Sequence, residues 1–376
     1  PVEAMKLLLV LFAAGYAARR FGTLSPPRTG IHWWQLRWQE LLPLLVMFAF
    51  MLGIFVLARD FGPALTLYLT LLVMLYLVTG RAVLLIPAVL LMLTGILLVE
   101  ALGIGVLPTR VAMWLSPWQI TEDHARHLAH SLWALSTGGL FGSGIGLGKP
   151  QSVPFARSDS VFSMWGEHLG LVGTLSLLCL YALWLGRFIR IAQRSATSED
   201  CLLAAGIAVL QGTQIVLICA GITGLLPMTG MSLPFVAQGN SALLANSAMV
   251  GLLYSITAHP SPQPAPSSTG RYRFRLRVLA WAFTLIILGL IGARSFWIQG
   301  IQADDIATRP LMVRLPKSEP HRVTNPRLTA IAQRIPRGRI LDSTGAVLAE
   351  TRDGRRVYPC GEACAQLVGW LDARFG

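Results

Sequence analysis

Long, nearly uninterrupted runs of apolar residues dominate the chain and recur from its first residues to residue 297. A membrane-crossing helix needs about 20 predominantly apolar residues, and most of these runs approach that length. We therefore predict an all-α polytopic membrane bundle of seven spans, followed by one anchor helix and a small extracytoplasmic tail that contains β-structure. The predicted spans cover residues 4–18, 41–58, 64–80, 82–107, 171–185, 202–226, 233–256 and 278–297.

One stretch of different composition divides the chain. Residues 258–277 are rich in Pro, Ser and Arg, which favours a cytoplasmic linker between the membrane domain and the last span. Four regions follow: a membrane domain (1–257), the linker (258–277), an anchor helix (278–298) and the tail (299–376).

Arginines cluster in alternate loops and set the predicted orientation. The chain carries 31 Lys and Arg against 18 Asp and Glu, although only 13% of its residues are charged and 54% are hydrophobic. Basic residues collect in short cytoplasmic loops, so the arginine-rich loops are predicted to face the cytoplasm. Residue 1, the segment 108–170 and the tail then lie on the other side. Because topology accounts for the net charge of +13, we expect no nucleic-acid partner.

Two carboxylates, Asp159 and Glu167, come shortly before the apolar run at 171–185. Charged groups at membrane depth are costly, which makes them candidates for function. We predict that Asp159 is a catalytic carboxylate and that Glu167 contributes to substrate binding.

Three more charged residues lie near the ends of predicted spans. Glu3 and Lys6 are three residues apart, so on a helix they share a face and can pair. This pair is either an interfacial ion pair or the lining of a polar cavity that binds substrate. Asp60 precedes the third span, where it suits a helix N-cap as well as a substrate site.

Cations are frequent in the segment 108–170. Arg110, Lys149 and Arg157 make it positive, which suits a phosphate-bearing lipid substrate, and contact with ordinary lipid headgroups is the alternative. The same segment is dense in glycine at 138–148 but lacks the spacing of a phosphate-binding loop. We predict a re-entrant or surface helix followed by a closely packed glycine turn.

Several motifs occur in the order found in one family of membrane proteins. They are Glu3-x-x-Lys6, Asp60-Phe61-Gly62, Arg110, Ser116-Pro117-Trp118, Gly138-Gly139-Leu140-Phe141-Gly142, Ser158-Asp159-x-x-Phe162, Gly166-Glu167-x-Leu169-Gly170, Thr223-Gly224-Leu225-Leu226-Pro227-x-Thr229-Gly230 and Leu233-Pro234-Phe235. On these residues the chain resembles the SEDS family of FtsW, RodA and SpoVE over residues 1–256. It departs from the family pattern at Ser116, Arg157-Ser158 and Asn240. The resemblance covers the last seven of ten helices and implies three helices upstream, in agreement with the orientation.

This resemblance implies a peptidoglycan glycosyltransferase of the bacterial inner membrane, which polymerises lipid II into glycan strands during cell elongation or division. Asp159 would act as general base on a sugar hydroxyl. Lys6, Arg110 and Lys149, or a divalent cation such as Mg²⁺ or Mn²⁺, would offset the charge of the departing undecaprenyl diphosphate. A lipid II flippase and a non-catalytic scaffold for cell-wall enzymes are the alternatives.

The tail resembles a second family, the class B penicillin-binding proteins. The matching stretches are Asn325-Pro326-Arg327 and Arg337-Gly338-Arg339-Ile340-Leu341-Asp342-Ser343-Thr344-Gly345. Apolar residues on both sides of Ser343-Thr344-Gly345 predict a short hairpin. The resemblance implies the start of a membrane-proximal pedestal fused to the polymerase. Its implied partners are a transpeptidase domain in cis and other cell-wall synthesis proteins, and we expect the chain to be truncated at both ends.

Overall fold

The structure, a computed structural model, describes most of the chain. The described residues are 2–21, 61–80, 107–120, 126–258, 269–313, 321–334, 338–352 and 355–359, with a few isolated positions elsewhere. The predicted spans at 41–58 and 82–107 lie almost entirely outside them, and so does Asp60.

Helices make up most of the described residues. They are α1 (Val2–Phe21), α2 (Phe61–Thr79), α3 (Leu107–Leu115), α4 (Arg126–Gly138), α5 (Val161–Arg194), α6 (Ser198–Ile222), α7 (Asn240–Ala258), α8 (Thr269–Thr284), α9 (Gly292–Phe296), α10 (Ala303–Thr308) and α11 (Pro326–Arg334). Five helical segments of the described chain are long and apolar enough to cross a membrane: α2, α5, α6, α7 and Phe274–Ile301. The predicted all-α polytopic fold is confirmed.

Helix α6 forms the centre of the bundle. It packs against α1, α2 and α5. In its apolar membrane-spanning stretch 89% is buried, compared with 28% in the corresponding stretch of α7. A helix that is apolar on all sides is expected to be surrounded by other elements. Its first turn is capped by Thr197, whose hydroxyl accepts a hydrogen bond from the Asp200 amide and donates one to the Asp200 carboxylate.

Helix α5 is broken at Gly170, whose φ of 65° and ψ of −161° lie in a region that only glycine adopts without strain. The break is stabilised by the glycine turn, residues 139–146, which follows α4. Four backbone hydrogen bonds join the two segments: Ser143 N to Glu167 O, Gly144 N to His168 O, Leu171 N to Gly139 O and Val172 N to Leu140 O. A Cβ added to Gly170 would lie 2.3 Å from the amide nitrogen of Gly142. The predicted closely packed glycine turn after a helix is therefore confirmed, but α4 is mostly buried and is not a surface helix; a re-entrant course stays a prediction.

Two helices begin at positions that differ from the predicted spans. Helix α5 begins at Val161, earlier than predicted, so Glu167 lies inside the helix rather than before it. Hydropathy missed these first turns because they mix polar and apolar residues. Helix α7 begins at Asn240, later than predicted, because Pro234 and the positive φ of Phe235 (61°) keep the preceding residues in a loop.

The last long helix begins at Thr269, earlier than the predicted anchor helix (278–298). It continues through a π-helical segment (Leu285–Ile291), α9 and a second π-helical segment (Trp297–Ile301). This helical stretch packs against α5 and α6. Near its end, an added Cβ at Gly300 would lie 3.7 Å from the Leu140 side chain. The tail therefore begins at the end of the bundle where the glycine turn lies.

The tail adds short strands, and one of them pairs with a strand of the membrane domain. The membrane domain contributes β1 (Gln119–Ile120), and the tail contains β2 (Leu311–Val313), β3 (His321–Val323), β4 (Ile340–Leu341), β5 (Val347–Arg352) and β6 (Arg355–Val357). Strand β2 pairs in parallel with β1 and antiparallel with β3. Segment 108–170 and the tail therefore lie on the same side of the bundle, as the distribution of arginines predicts.

The predicted hairpin around residue 344 is confirmed as the antiparallel pair β4–β5. One oxygen of the Asp342 carboxylate accepts hydrogen bonds from the Thr344 hydroxyl, the Thr344 amide and the Ala346 amide. These bonds, led by that of the hydroxyl, lower the pKa of Asp342 because they stabilise its charged form.

Candidate functional site

Asp159 lies in a tight turn just before the first residue of α5. The amides of Asp159, Ser158 and Ser160 all donate to the carbonyl oxygen of Phe155 at 3.1 Å, and this turn uses the positive φ of Phe155 (52°). The Asp159 side chain is half-buried. The beginning of a helix favours a negative charge, so this position suits a carboxylate.

The Asp159 carboxylate and the Arg110 guanidinium meet at Gly230. A Cβ added to Gly230 would lie 3.5 Å from Nη2 of Arg110 and 3.7 Å from Oδ2 of Asp159. Gly230 is exposed and has a φ of 69°, and both charged groups lie where its side chain would be if it had one. Among the residues that the structure describes, none donates a hydrogen bond to the Asp159 carboxylate or forms an ion pair with it.

Arg110 belongs to α3 and is fixed by the loop between α6 and α7, residues 223–239. Its Nη1 donates to the carbonyl oxygens of Met228 (3.0 Å) and Thr229 (2.8 Å). The beginning of α2 packs on the same loop, because an added Cβ at Gly62 would lie 2.4 Å from the Thr229 carbonyl oxygen. The 223–239 loop thus gathers α2, α3 and the Asp159 turn.

The predicted pair of Glu3 and Lys6 is confirmed. The Lys6 ammonium lies 2.6 Å from Oε1 of Glu3 and donates to Oε1 of Gln214 at 3.0 Å. Lys6 is completely buried, and the second oxygen of Glu3 is buried without a hydrogen-bond partner. A buried cation is tolerated only where such partners replace water. Gln214 was missed by sequence reasoning, although a polar residue within a membrane span is a usable signal.

Glu167, predicted to bind substrate, pairs with the tail. Arg327 donates to both oxygens of the Glu167 carboxylate at 2.9 Å, and the two side chains are only 2–3% exposed. The Lys149 amide donates to the same carboxylate at 2.7 Å, and its ammonium donates to the carbonyl oxygen of Pro326 at 3.1 Å. These contacts define the tail dock, formed by Lys149, Glu167 and residues 325–327. The charge of Glu167 is already offset inside the protein, and its predicted role in substrate binding stays a prediction.

One hydrogen bond extends the tail dock along α4, and an aromatic contact within α4 lies beside it. The indole nitrogen of Trp133 donates to the carbonyl oxygen of Arg309 at 3.1 Å, and the His130 ring lies edge-on to Trp133 with centroids 5.1 Å apart. Burial lowers the pKa of His130 to about 4, and the positive charges of Arg327 and Arg126 add to this effect.

Two predicted site residues remain, Arg157 and Asp60. Arg157 is exposed, and its carbonyl oxygen accepts a hydrogen bond from the Gln238 amide at 2.8 Å. Asp60 lies outside the described residues, so its predicted role stays a prediction. Within the described ranges no group of three His, Cys, Asp or Glu side chains could hold a metal ion. The group facing Asp159 at Gly230 is a guanidinium, which donates hydrogen bonds and is no metal ligand.

Comparisons with known proteins give these residues a context. The model of the FtsW, RodA and SpoVE family of cell cycle proteins matches residues 1–261. The peptidoglycan glycosyltransferase RodA of Mycobacterium tuberculosis is 33% identical over 258 residues, which are 68% of this chain and 55% of that protein. The probable peptidoglycan glycosyltransferase FtsW of Coxiella burnetii is 31% identical over 261 residues, or 68% of this chain and 67% of that protein.

A solved structure shares the fold. It is a peptidoglycan synthase complex described as coordinating polymerization and crosslinking, with a TM-score of 0.51 and 28% identity over 67% of this chain and 68% of that one. The chain spans about half the length of the mycobacterial relatives that it matches. On the family match and the level of identity, the chain belongs to the FtsW, RodA and SpoVE family.

Proposed function

We propose that this protein is a peptidoglycan glycosyltransferase, which polymerises lipid II into glycan strands in cell elongation or division. The curated relatives are named as enzymes of this activity. The observation that carries the proposal is the Asp159 carboxylate, half-buried and without a partner among the described residues, beside Arg110 at an exposed glycine. A carboxylate held in this way is available to accept a proton from a substrate.

In the proposed reaction, Asp159 acts as general base. A sugar hydroxyl of one lipid II attacks the anomeric carbon of the growing glycan, and its proton passes to the Asp159 carboxylate. The new glycosidic C–O bond forms as the bond between the anomeric carbon and the diphosphate oxygen breaks. Undecaprenyl diphosphate leaves with the electron pair of that bond and needs no proton to do so.

Cations of the site offset the charge that develops on the leaving diphosphate. Arg110 lies beside Asp159 at Gly230, and its guanidinium matches the geometry of phosphate oxygens. Lys6 is fully buried and held by Glu3 and Gln214, so it would act on the diphosphate through the field of its charge and not by direct contact. Such preorganised charge stabilises a transition state because it needs no reorganisation during the reaction.

We further propose that a divalent cation, Mg²⁺ or Mn²⁺, assists the reaction, as the family resemblance implies. It would supply Lewis-acid charge to the diphosphate when bound. The described acidic residues do not form a ligand set for it, so no step of the reaction is assigned to it. Polymerisation measured with and without chelator tests the requirement.

The experiment that tests the function is polymerisation of purified lipid II by the membrane-reconstituted protein, with the variants Asp159→Asn and Asp159→Ala. We expect both variants to fold and to lose about 10²- to 10⁴-fold in rate, as is typical when a general base is removed. Asp305→Asn removes an exposed carboxylate of the tail and serves as the matched control.

Three results would contradict or redirect the proposal. Wild-type rates in a well-folded Asp159→Asn protein would remove Asp159 from its role. Transport of labelled lipid II across the vesicle membrane by that variant, with no polymerisation by the parent, would indicate a flippase. A parent chain that neither polymerises nor transports, yet retains cell-wall enzymes on purification, would indicate a scaffold.

We further infer that the tail is the first part of a class B penicillin-binding protein, with a transpeptidase domain in cis as its partner. The motifs at residues 325–327 and 337–345 and the similarity to a peptidoglycan synthase complex support this proposal, and the β1–β2 pairing and the Glu167–Arg327 ion pair join the tail to the membrane domain. We also propose that the protein lies in the bacterial inner membrane, with Asp159 and the tail on the extracytoplasmic side. Other cell-wall synthesis proteins are its expected partners.

A further inference from the structure

Gln214 joins two parts of the site that are distant in sequence. It lies on α6, is 1% exposed, and uses both ends of its side-chain amide. Its Oε1 accepts a hydrogen bond from the Lys6 ammonium at 3.0 Å, and its Nε2 donates to the carbonyl oxygen of Ser232 at 2.9 Å. One side chain therefore connects α1 to the 223–239 loop.

The two hydrogen bonds of Gln214 fix the orientation of its amide. The reversed orientation would place the amide nitrogen against the Lys6 ammonium, and the amide oxygen against the Ser232 carbonyl. Both contacts would then be repulsive inside a buried site, where unsatisfied polar groups cost the most free energy. The Gln214 side chain therefore connects Lys6 to Ser232 in one orientation only, and it does more than fill space between helices.

The link reaches the Asp159 site through the backbone of the 223–239 loop. Ser232 lies two residues after Gly230, which adjoins both Arg110 and Asp159. Consecutive Cα atoms are about 3.8 Å apart, so these two loop positions lie within about 8 Å of one another. Arg110 holds the loop on the other side of Gly230 by its bonds to Met228 and Thr229.

We infer that Gln214 is a positioning residue, which sets the distance between the Lys6 ammonium and the Arg110–Asp159 pair by tying both to one loop. This inference rests on the proposed glycosyltransferase activity. Gln214 itself is too deeply buried to contact substrate. It acts on the reaction through Lys6 and through the loop, so its loss should reduce turnover more than substrate binding.

Gln211 provides a matched comparison on the same helix. It is also 1% exposed, but its Nε2 donates to Oδ1 of Asn246 at 2.7 Å and to the sulfur of Met249 at 3.0 Å. Both of these partners belong to α7 and to the interior of the bundle. Gln211 therefore represents a buried glutamine with a packing role, as opposed to one tied to the site.

The first experiment compares Gln214→Glu, Gln214→Met and Gln211→Met in the full chain reconstituted in lipid vesicles. The glutamate keeps an acceptor for Lys6 but loses the donor to the Ser232 carbonyl, so it breaks only the loop half of the link. We expect kcat for lipid II polymerisation to fall about 10- to 100-fold in both Gln214 variants, because small misplacements of reacting groups cost this much. KM for lipid II should change little, and Gln211→Met should keep the parent kcat.

The second readout does not depend on activity. In a Ser232→Cys background, the rate at which an impermeant maleimide labels residue 232 is followed by mass spectrometry. We expect faster labelling with Gln214→Glu and unchanged labelling with Gln211→Met, since only the former releases the loop. Melting temperatures identify variants that fail to fold, and Gln214→Glu retains a partner for the buried Lys6 if the methionine variant does not fold.

These outcomes separate the inference from the proposed function. Parent kcat and parent labelling in a folded Gln214→Glu protein would overturn the positioning role. A lower kcat with unchanged labelling would also overturn it, because the loop would then not be the route. A parent protein that does not polymerise lipid II would refute the proposed function, while the labelling rates would still show whether Gln214 holds the loop.

Discussion

Two carboxylates at the beginning of α5, Asp159 and Glu167, meet opposite environments. Asp159 is half-buried, lies beside an exposed glycine, and has no bonded partner among the described residues. Glu167 is buried and receives two hydrogen bonds from Arg327 and one from the Lys149 amide. The same chemical group, on nearly the same stretch of chain, thus lacks a bonded partner in one case and is held in a buried ion pair in the other.

This difference shows that position near a membrane helix does not by itself determine the role of an acidic residue. The groups that surround its carboxylate determine that role. The sequence treats both carboxylates alike, since each precedes or begins an apolar run. The structure separates them by burial and by pairing. Asp159 lies at the site of the reaction that we propose, whereas Glu167 forms the ion pair that holds the tail.

The largest expected effect on this comparison comes from removing one partner of the buried pair. Arg327→Met leaves the Glu167 carboxylate buried without its counter-charge, which typically destabilises a protein by about 3–5 kcal/mol. We expect a lower melting temperature and faster proteolysis of the tail, with the transmembrane helices still protected.

A double variant sharpens the same prediction. Glu167→Met combined with Arg327→Met removes both charges, and a well-packed apolar pair in place of a buried ion pair is often neutral or stabilising. The double variant should therefore regain stability relative to Arg327→Met. A double variant that is less stable than either single variant would show that Glu167 has a role beyond the tail dock.

A second test is Gly170→Ala, which probes the break that separates the Glu167 half of α5 from the rest. The backbone conformation of Gly170 is open only to glycine, which implies a strain of about 1–3 kcal/mol, and the contact of the new Cβ with the backbone of Gly142 and Leu140 adds to this cost. Gly186→Ala, farther along the same helix with no atom within 4 Å of the added Cβ, is the control. Thermal melting should show a loss for the first and no loss for the second, and equal melting temperatures would count against the break.

The smallest effect concerns His130 and the acid stability of the tail dock. Its pKa of about 4 in the folded protein, lowered by burial and by Arg327, Arg126 and His127, lies below its usual value of 6.5. The unfolded chain therefore binds the proton more readily, and stability falls as the pH drops from about 6.5 towards 4. His130→Gln should flatten this fall in melting experiments, whereas His321→Gln in the exposed part of the tail should not.

Much of the bundle and part of the site follow from sequence patterns. Apolar runs predict α2, α5, α6 and α7 because membrane spans have a fixed length. The spacing of Glu3 and Lys6 predicts their pairing because residues three apart share a helix face. The predicted helix ends and breaks were less accurate. Gly170 breaks α5 and Pro234 delays the beginning of α7, and hydropathy does not detect these effects on the backbone.

The partners of Glu167 and Lys6 could not be derived from sequence patterns. Arg327 is 160 residues from Glu167 along the chain, and Gln214 is 208 residues from Lys6. Local spacing rules reach only a few residues, so contacts of this kind depend on how distant elements pack. The parallel pairing of β1 with β2 was missed for the same reason, because two-residue strands carry no periodic signal.

The short β1–β2 ladder has a consequence for assembly. Only two residue pairs form it, Gln119 with Met312 and Ile120 with Val313. Such a patch would hold two separate polypeptides only weakly, but here both strands belong to one molecule. Packed helices already bring the two strands together, so their pairing does not have to overcome the entropy lost when separate molecules associate, and a ladder of two pairs can form.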